Sequence, residues 1–139
     1  MAITQAFCTS AKVGFLTGTY APTTDTMKIA LYTSAADLSA TTTAYTTTAE
    51  VVGTGYTAGG NTLTGAAISY SGTTAWLTFS NTSWTTATLT ARGALIYDFS
   101  KSNAAIAVLD FGSDKTSTAG TFTIEMPAAA AGSALIRIA

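Results

Sequence analysis

Met27-Lys28-Ile29-Ala30-Leu31-Tyr32-Thr33 places Met27, Ile29 and Leu31 on one side of an extended chain, with Lys28, Ala30 and Tyr32 on the other. Side chains of a strand alternate between faces with a period of two, so this stretch predicts a β-strand with one buried face. Further strands are predicted downstream over 62–69, 75–80, 85–97 (interrupted near Gly93), 104–111, 120–126 and 133–138. Turn chemistry separates them at Ser71-Gly72, Asn81 to Ser83, Ser100 to Asn103, Gly112 to Lys115 and Pro127 to Gly132. Regular short strands rich in Val, Ile, Thr and aromatic residues predict a mainly β chain. The expected architecture is a single antiparallel β-sandwich or jelly-roll-like domain with a short N-terminal helix.

That helix is predicted over residues 5–17, where Phe7, Ala11 and Phe15 recur at helical spacing and Leu16 widens the stripe. Gly14 weakens it and Gly18 ends it. Residues 19–25, with Pro22, read as a loop. Between 34 and 60 the periodicity dissolves into Thr41-Thr42-Thr43-Ala44-Tyr45-Thr46-Thr47-Thr48, a long loop of the kind that is usually functional. One helical turn near 45–51 and a short strand at Val51-Val52 are expected within it. Gly53, Gly55, Gly59 and Gly60 predict a sharp turn or bulge around Tyr56.

Composition excludes much chemistry. The 139 residues contain no histidine, the commonest general base and metal ligand. Only 9% are charged, against about 25% in an average soluble protein, so hydroxyls, small residues and backbone must cover the surface. The 47% apolar content supplies a core for one domain, 1–139, and argues against disorder. Threonine suits such a surface, because its β-branch favours extended backbone and its hydroxyl faces water without charge. A net charge of −1 with no basic stripe argues against nucleic-acid binding, and it gives little repulsion between copies. Cys8 is the sole cysteine, so no intrachain disulfide forms. The first residues lack the pattern of a signal peptide, and no apolar run reaches the length of a membrane span.

Individual motifs resolve into structural readings. Asp110-Phe111-Gly112 spells the magnesium motif of kinases, but the catalytic loop and strand lysine are missing, leaving a strand that ends in a glycine turn. The Gly53 to Gly60 glycines lack the spacing and the strand–helix setting of a dinucleotide site. Asp98, Asp110 and Glu125 could meet as a glycosidase carboxylate set, yet Asp98 and Asp110 adjoin turn signals where acids cap backbone N–H groups. Asp110 and Asp114 do not spell a calcium cage. Cys8 has no histidine to act as its base and reads as a buried apolar residue of the helix. Asn81-Thr82-Ser83 matches a glycosylation sequon but reads as a turn. Trp76 and Trp84, with Phe79, read as core, an interface tryptophan being the alternative. Arg92 and Arg137, the only arginines, are expected to be held by carboxylates or carbonyls. No catalytic, cofactor-binding or metal-binding residue is assigned.

Six stretches together resemble a family of small virion proteins of tailed bacteriophages. They are Lys28 to Ser34, Thr41 to Thr48, Gly53 to Gly60, Ala91-Arg92-Gly93-Ala94-Leu95-Ile96-Tyr97, Ala107 to Lys115 and Ala134-Leu135-Ile136-Arg137-Ile138-Ala139. Members resemble capsid decoration (cement) proteins or components labelled head or tail fibre proteins. The resemblance implies a nonenzymatic protein made in the host cytoplasm and assembled on the virion capsid surface. The expected partner is the major capsid protein, bridged by a homotrimer at the local symmetry axes of the shell, without cofactor, nucleic acid or membrane. The N-terminal segment and residues 34–60 are the expected contact regions. The alternative is a tail or head-fibre component that binds host-surface glycans, for which Tyr32, Tyr45 or Tyr56 would have to form an exposed cluster. A polysaccharide depolymerase using Asp98, Asp110 and Glu125 is the third reading.

Overall fold

The computed structural model describes residues 2–139, so Met1 of the expected 1–139 domain lies outside the described residues. The chain is mainly β, with two antiparallel sheets and one short helix near the N-terminus, in agreement with the expected sandwich. The elements run β1 (Ala6–Phe7), α1 (Thr9–Leu16), β2 (Met27–Tyr32), β3 (Asn61–Thr62), β4 (Ala67–Ser71), β5 (Thr74–Thr78), β6 (Thr82–Asp98), β7 (Ala104–Ile124) and β8 (Ile136–Ile138). The larger sheet has the order β1-β7-β6-β2-β3 and the smaller one β4-β5-β8. Leu77 of β5 and Ile136 of β8 join the same buried cluster as Leu31, Leu95 and Val108 of the larger sheet.

The backbone of the fold is the β6–β7 hairpin, whose strands of 17 and 21 residues far exceed the usual length of about 5–6. It persists because register shifts interrupt it between Trp84 and Ala87, Ala87 and Leu89, Ala91 and Gly93, and Ile96 and Tyr97. Such bulges re-aim the side chains and increase the twist. Its outer half alternates as a one-sided sheet should: Trp84, Ala87, Leu89 and Ala91 are buried, whereas Thr85, Thr88 and Thr90 face water. From Gly93 to Asp98 every residue is buried, because the chain covers both faces there.

Several sequence expectations are corrected. Gly112 to Lys115 is not a turn between two strands: β7 runs through it. Asp110 pairs with Gly93 and Lys115 with Ala91, so residues 111–114 form a bulge opposite Arg92, with Gly112 at φ +81, Phe111 packed against the core and 112–114 exposed. The helix begins at Thr9 and not at residue 5, because Phe7 is held extended against Ala107. Its buried residues are Ala11 and Gly14, and Leu16 points outward at 88% exposure. At Gly14 the Tyr20 ring packs directly over the helix, and an added side chain would have to displace that ring. The 62–69 strand is split into β3 and β4. β2 is buried on both faces, not one.

The second cover of β2 is the 34–60 segment. It contains no helical turn at 45–51, and in place of a strand at Val51-Val52 it makes single bridges from Leu38, Ala44, Glu50 and Thr54. Ala36, Leu38, Glu50 and Val51 are buried, whereas Val52 is 96% exposed. Beyond β3, residues 49–51 complete the edge of β2: Thr33 N–H donates to Ala49 C=O at 2.9 Å and Val51 N–H to Leu31 C=O at 2.9 Å. At Gly60, φ is +74 and a Cβ would stand 1.8 Å from the Ile29 carbonyl oxygen, so only glycine permits this approach.

Candidate interaction surface

The three candidate tyrosines, Tyr32, Tyr45 and Tyr56, pack into the fold rather than forming an exposed cluster. Tyr32 is fully buried and donates from its hydroxyl to Thr46 C=O at 2.7 Å. Tyr45 and Tyr56 are half-buried, and each donates to one oxygen of the buried Glu50 carboxylate at 2.7 Å. Gly59 N–H adds a third bond to Glu50 at 2.8 Å, and the Tyr56 hydroxyl accepts from Leu31 N–H at 2.9 Å. Tyr97 donates to Gly59 C=O at 2.7 Å and stacks on Tyr45 with ring centres 4.8 Å apart. Burial, with Glu50 beside them, raises Tyr45 and Tyr56 well above the usual phenol range; burial first and then the Glu50 charge push Tyr97 up to about 12. These phenols stay neutral donors. The network ties the 34–60 segment down, and sequence reasoning missed its centre. Glu50 is the only charged residue between Asp37 and Arg92, a signal that the sequence did carry.

The three candidate carboxylates are not assembled. Asp98 ends β6 opposite Ala104, whereas Asp110 pairs with Gly93, five residues back along β6, or ~16 Å away at the strand rise. Asp98 is fully buried: its Oδ1 accepts from Ser100 N–H at 3.1 Å and from the Ser100 hydroxyl at 2.7 Å, and its Oδ2 has no hydrogen-bond partner among the described residues. Burial first, and then the neighbouring Asp25 carboxyl, push Asp98 up to about 6, and the neighbouring Asp98 lowers Asp25. Asp110 Oδ1 accepts from Gly112 N–H at 2.9 Å and from Arg92 Nε at 3.2 Å, which hold its carboxyl below the usual range. A group so held does not suit a general acid. Asp110 and Glu125 both border an open cleft of about 590 Å³ between the end of β7 and β8, to which Phe111, Met126 and Arg137 also contribute.

The remaining singled-out residues serve the fold. Cys8 is fully buried, its thiol near Ser39 C=O at 3.9 Å, and burial pushes it up to about 11. Trp84 is buried between Tyr56 and Phe122, while Trp76 is half-buried in the small sheet. Asn81 accepts from Met126 N–H at 2.7 Å, and Arg137 donates to Ala131 C=O at 3.2 Å. Gly55, Gly59 and Gly60 all adopt positive φ in the turns around Tyr56. Asp114 and Lys115 are exposed on and beside the β7 bulge. Among the described residues no three His, Cys, Asp or Glu side chains gather as metal ligands, and no helix is long and apolar enough to cross a membrane.

The surface that stands out is apolar. Pairing of Ile68 with Leu77 and of Leu77 with Ile136 puts these three on one face of the small sheet, and Tyr70, Ala75 and Ile138 form a second row on that face. Leu77 and Ile136 are buried, but Ile68 (57%), Tyr70 (76%) and Ile138 (58%) overhang the core. Between Ile68 and Ile138 on one side and Phe7, Phe15 and Pro22 on the other lies a groove of about 90 Å³ lined only by apolar groups. It adjoins a hollow of about 290 Å³ beneath Leu16 and Ile138, with Lys12 and Arg137 at its rim. Val13 and Leu16 of α1 extend the apolar surface into solvent. Exposed apolar residues grouped in this way mark an interaction site, whereas scattered ones do not. No protein-family model matches the chain, and no curated protein or solved structure matches it.

Proposed function

We propose that this protein is a capsid decoration protein of a tailed bacteriophage, acting as an adhesive on the virion surface and bridging subunits of the major capsid protein. The observation that carries this reading is the apolar surface of α1 and the small sheet, exposed on a molecule with only 9% charged residues. A cement protein adds free energy that must be lost before capsid subunits part, and burial of Val13, Leu16 and Ile138 would contribute roughly 1.5–3 kcal/mol each before the cost of association. This favours the N-terminal segment as the capsid-facing element. Residues 34–60 serve mainly as a cover for β2, with Val52 their one large exposed apolar side chain.

The test is co-sedimentation of purified protein with expanded capsids lacking it, beside intact host cells. Saturable binding to capsids at a fixed copy ratio, lost in Leu16→Lys, is expected. Binding to cells and not to capsids would refute the decoration role and move the protein to the tail or fibre.

A further inference from the structure

β4 is an open edge: it pairs with β5 on one side only, and all five of its residues are exposed. Proteins protect such edges with lysine, proline, bulges or a covering segment, because a row of free N–H and C=O groups templates pairing with another chain. Ala67-Ile68-Ser69-Tyr70-Ser71 carries no charge and no proline. Its five residues pair with β5 in unbroken register, without a bulge. Its pattern is also symmetric. Small residues stand at 67, 69 and 71, and large apolar ones at 68 and 70.

We infer that β4 pairs antiparallel with β4 of a second copy about a two-fold axis at Ser69, joining the two small sheets into one. In this register Ile68 faces Tyr70 of the other copy, Ala67 faces Ser71, and Ser69 faces itself. Directly opposed residues share a face, so both Ile68–Tyr70 pairs fall on the apolar side already bounded by the groove, and hydroxyls and methyls fall on the outer side. A strand of the same chain meets both demands of this edge, alternation in phase and absence of charge, and an isologous contact closes after two copies. Neither side carries a charge to repel the other, and Arg137, the nearest cation of the sheet, lies on the far strand β8. The contact is two-fold and differs from the three-fold ring expected from the family resemblance. It stands whether or not the protein decorates capsids.

Five paired residues bury less than the about 800 Å² per partner of a standard interface, so the expected dimer is of micromolar strength. Sedimentation velocity from about 1 µM to about 200 µM should show monomer converting to dimer. Ile68→Lys and Tyr70→Lys should weaken dimerisation at least about tenfold with an unchanged circular dichroism spectrum, because both side chains are exposed in the monomer. A register test uses single cysteines, native Cys8 being buried. Opposed Cα atoms lie about 4.5–5.5 Å apart, within disulfide reach, so Ser69→Cys should cross-link to itself on oxidation. Ser71→Cys, offset from its mate by about 14 Å, should not. A chain monomeric across the whole range, or equal cross-linking of both variants, would overturn the proposal. A monomer whose Ile68→Lys variant no longer binds capsids would assign the edge to the capsid partner and overturn it as well.

Discussion

Replacement of Glu50 separates a structural clasp from an incidental acid. The carboxylate accepts bonds from Tyr45, Tyr56 and Gly59, at 2.7, 2.7 and 2.8 Å. Glu50→Ala orphans the buried Gly59 N–H and takes the acceptor from both hydroxyls. An unsatisfied buried polar group costs roughly 1–3 kcal/mol, and removal of a desolvated carboxylate offsets part of that, so the net loss is about 3 kcal/mol. Glu50→Gln keeps one acceptor for Tyr56 and Gly59 and turns an NH₂ toward Tyr45, which costs about 1 kcal/mol. The two tyrosines differ in a way that only this geometry predicts. Tyr56→Phe also strands the Leu31 N–H that its hydroxyl accepts, at roughly 2–3 kcal/mol, whereas Tyr45 is half-exposed and Tyr45→Phe costs about 1 kcal/mol. Urea unfolding followed by tryptophan fluorescence measures these differences, and each kcal/mol corresponds to about 3 °C in Tm for a chain of this length. If Tyr56→Phe were no costlier than Tyr45→Phe, or Glu50→Ala stayed within about 0.5 kcal/mol of wild type, the clasp would be refuted.

Three further outcomes follow from buried groups and from glycine. Asp98, raised to about 6 when folded, binds its proton more tightly than in the unfolded chain, so its contribution is full below about pH 4 and disappears as pH rises through 6. Tm should fall across that window by the equivalent of roughly 2–3 kcal/mol, and Asp98→Asn should flatten the slope; Asp25, shifted the opposite way, acts only below it. Gly60→Ala should cost roughly 3–5 kcal/mol in urea melts, because its methyl meets the β2 backbone, whereas Gly72→Ala, at φ +58 with nothing near, should cost only about 1–2 kcal/mol. Cys8, buried and raised to about 11, should resist a thiol reagent at pH 8 in the native protein and react at once in denaturant.

Much of the fold was legible because strands announce themselves by alternation. Met27, Ile29 and Leu31 located β2, and Ser100 to Asn103 located the turn between β6 and β7. What stayed hidden depends on partners distant in sequence. The full burial of β2 comes from the threonine-rich 34–60 segment, whose contacts are single bridges and tyrosine hydroxyls without any periodicity. Gly112-Ser113-Asp114-Lys115 has the chemistry of a turn, and a bulge uses the same chemistry; only the pairing of Asp110 with Gly93 and Lys115 with Ala91 distinguishes them. The Phe7, Ala11, Phe15 spacing suggested a helix that tertiary pairing of Phe7 cuts short. Asp98 and Asp110 gave no hint of their separation, because strand register fixes it. The apolar surface was equally unreadable: Ile68, Tyr70 and Ile138 look like core residues until the small sheet is seen to overhang.

The adhesive role is tested most directly by calorimetry of expanded capsids with and without saturating protein. The account predicts a higher disruption temperature with the wild-type chain and a smaller rise with Leu16→Lys, whose apolar contact is replaced by a charge. Capsids that bind the protein to saturation yet break apart at an unchanged temperature would contradict it.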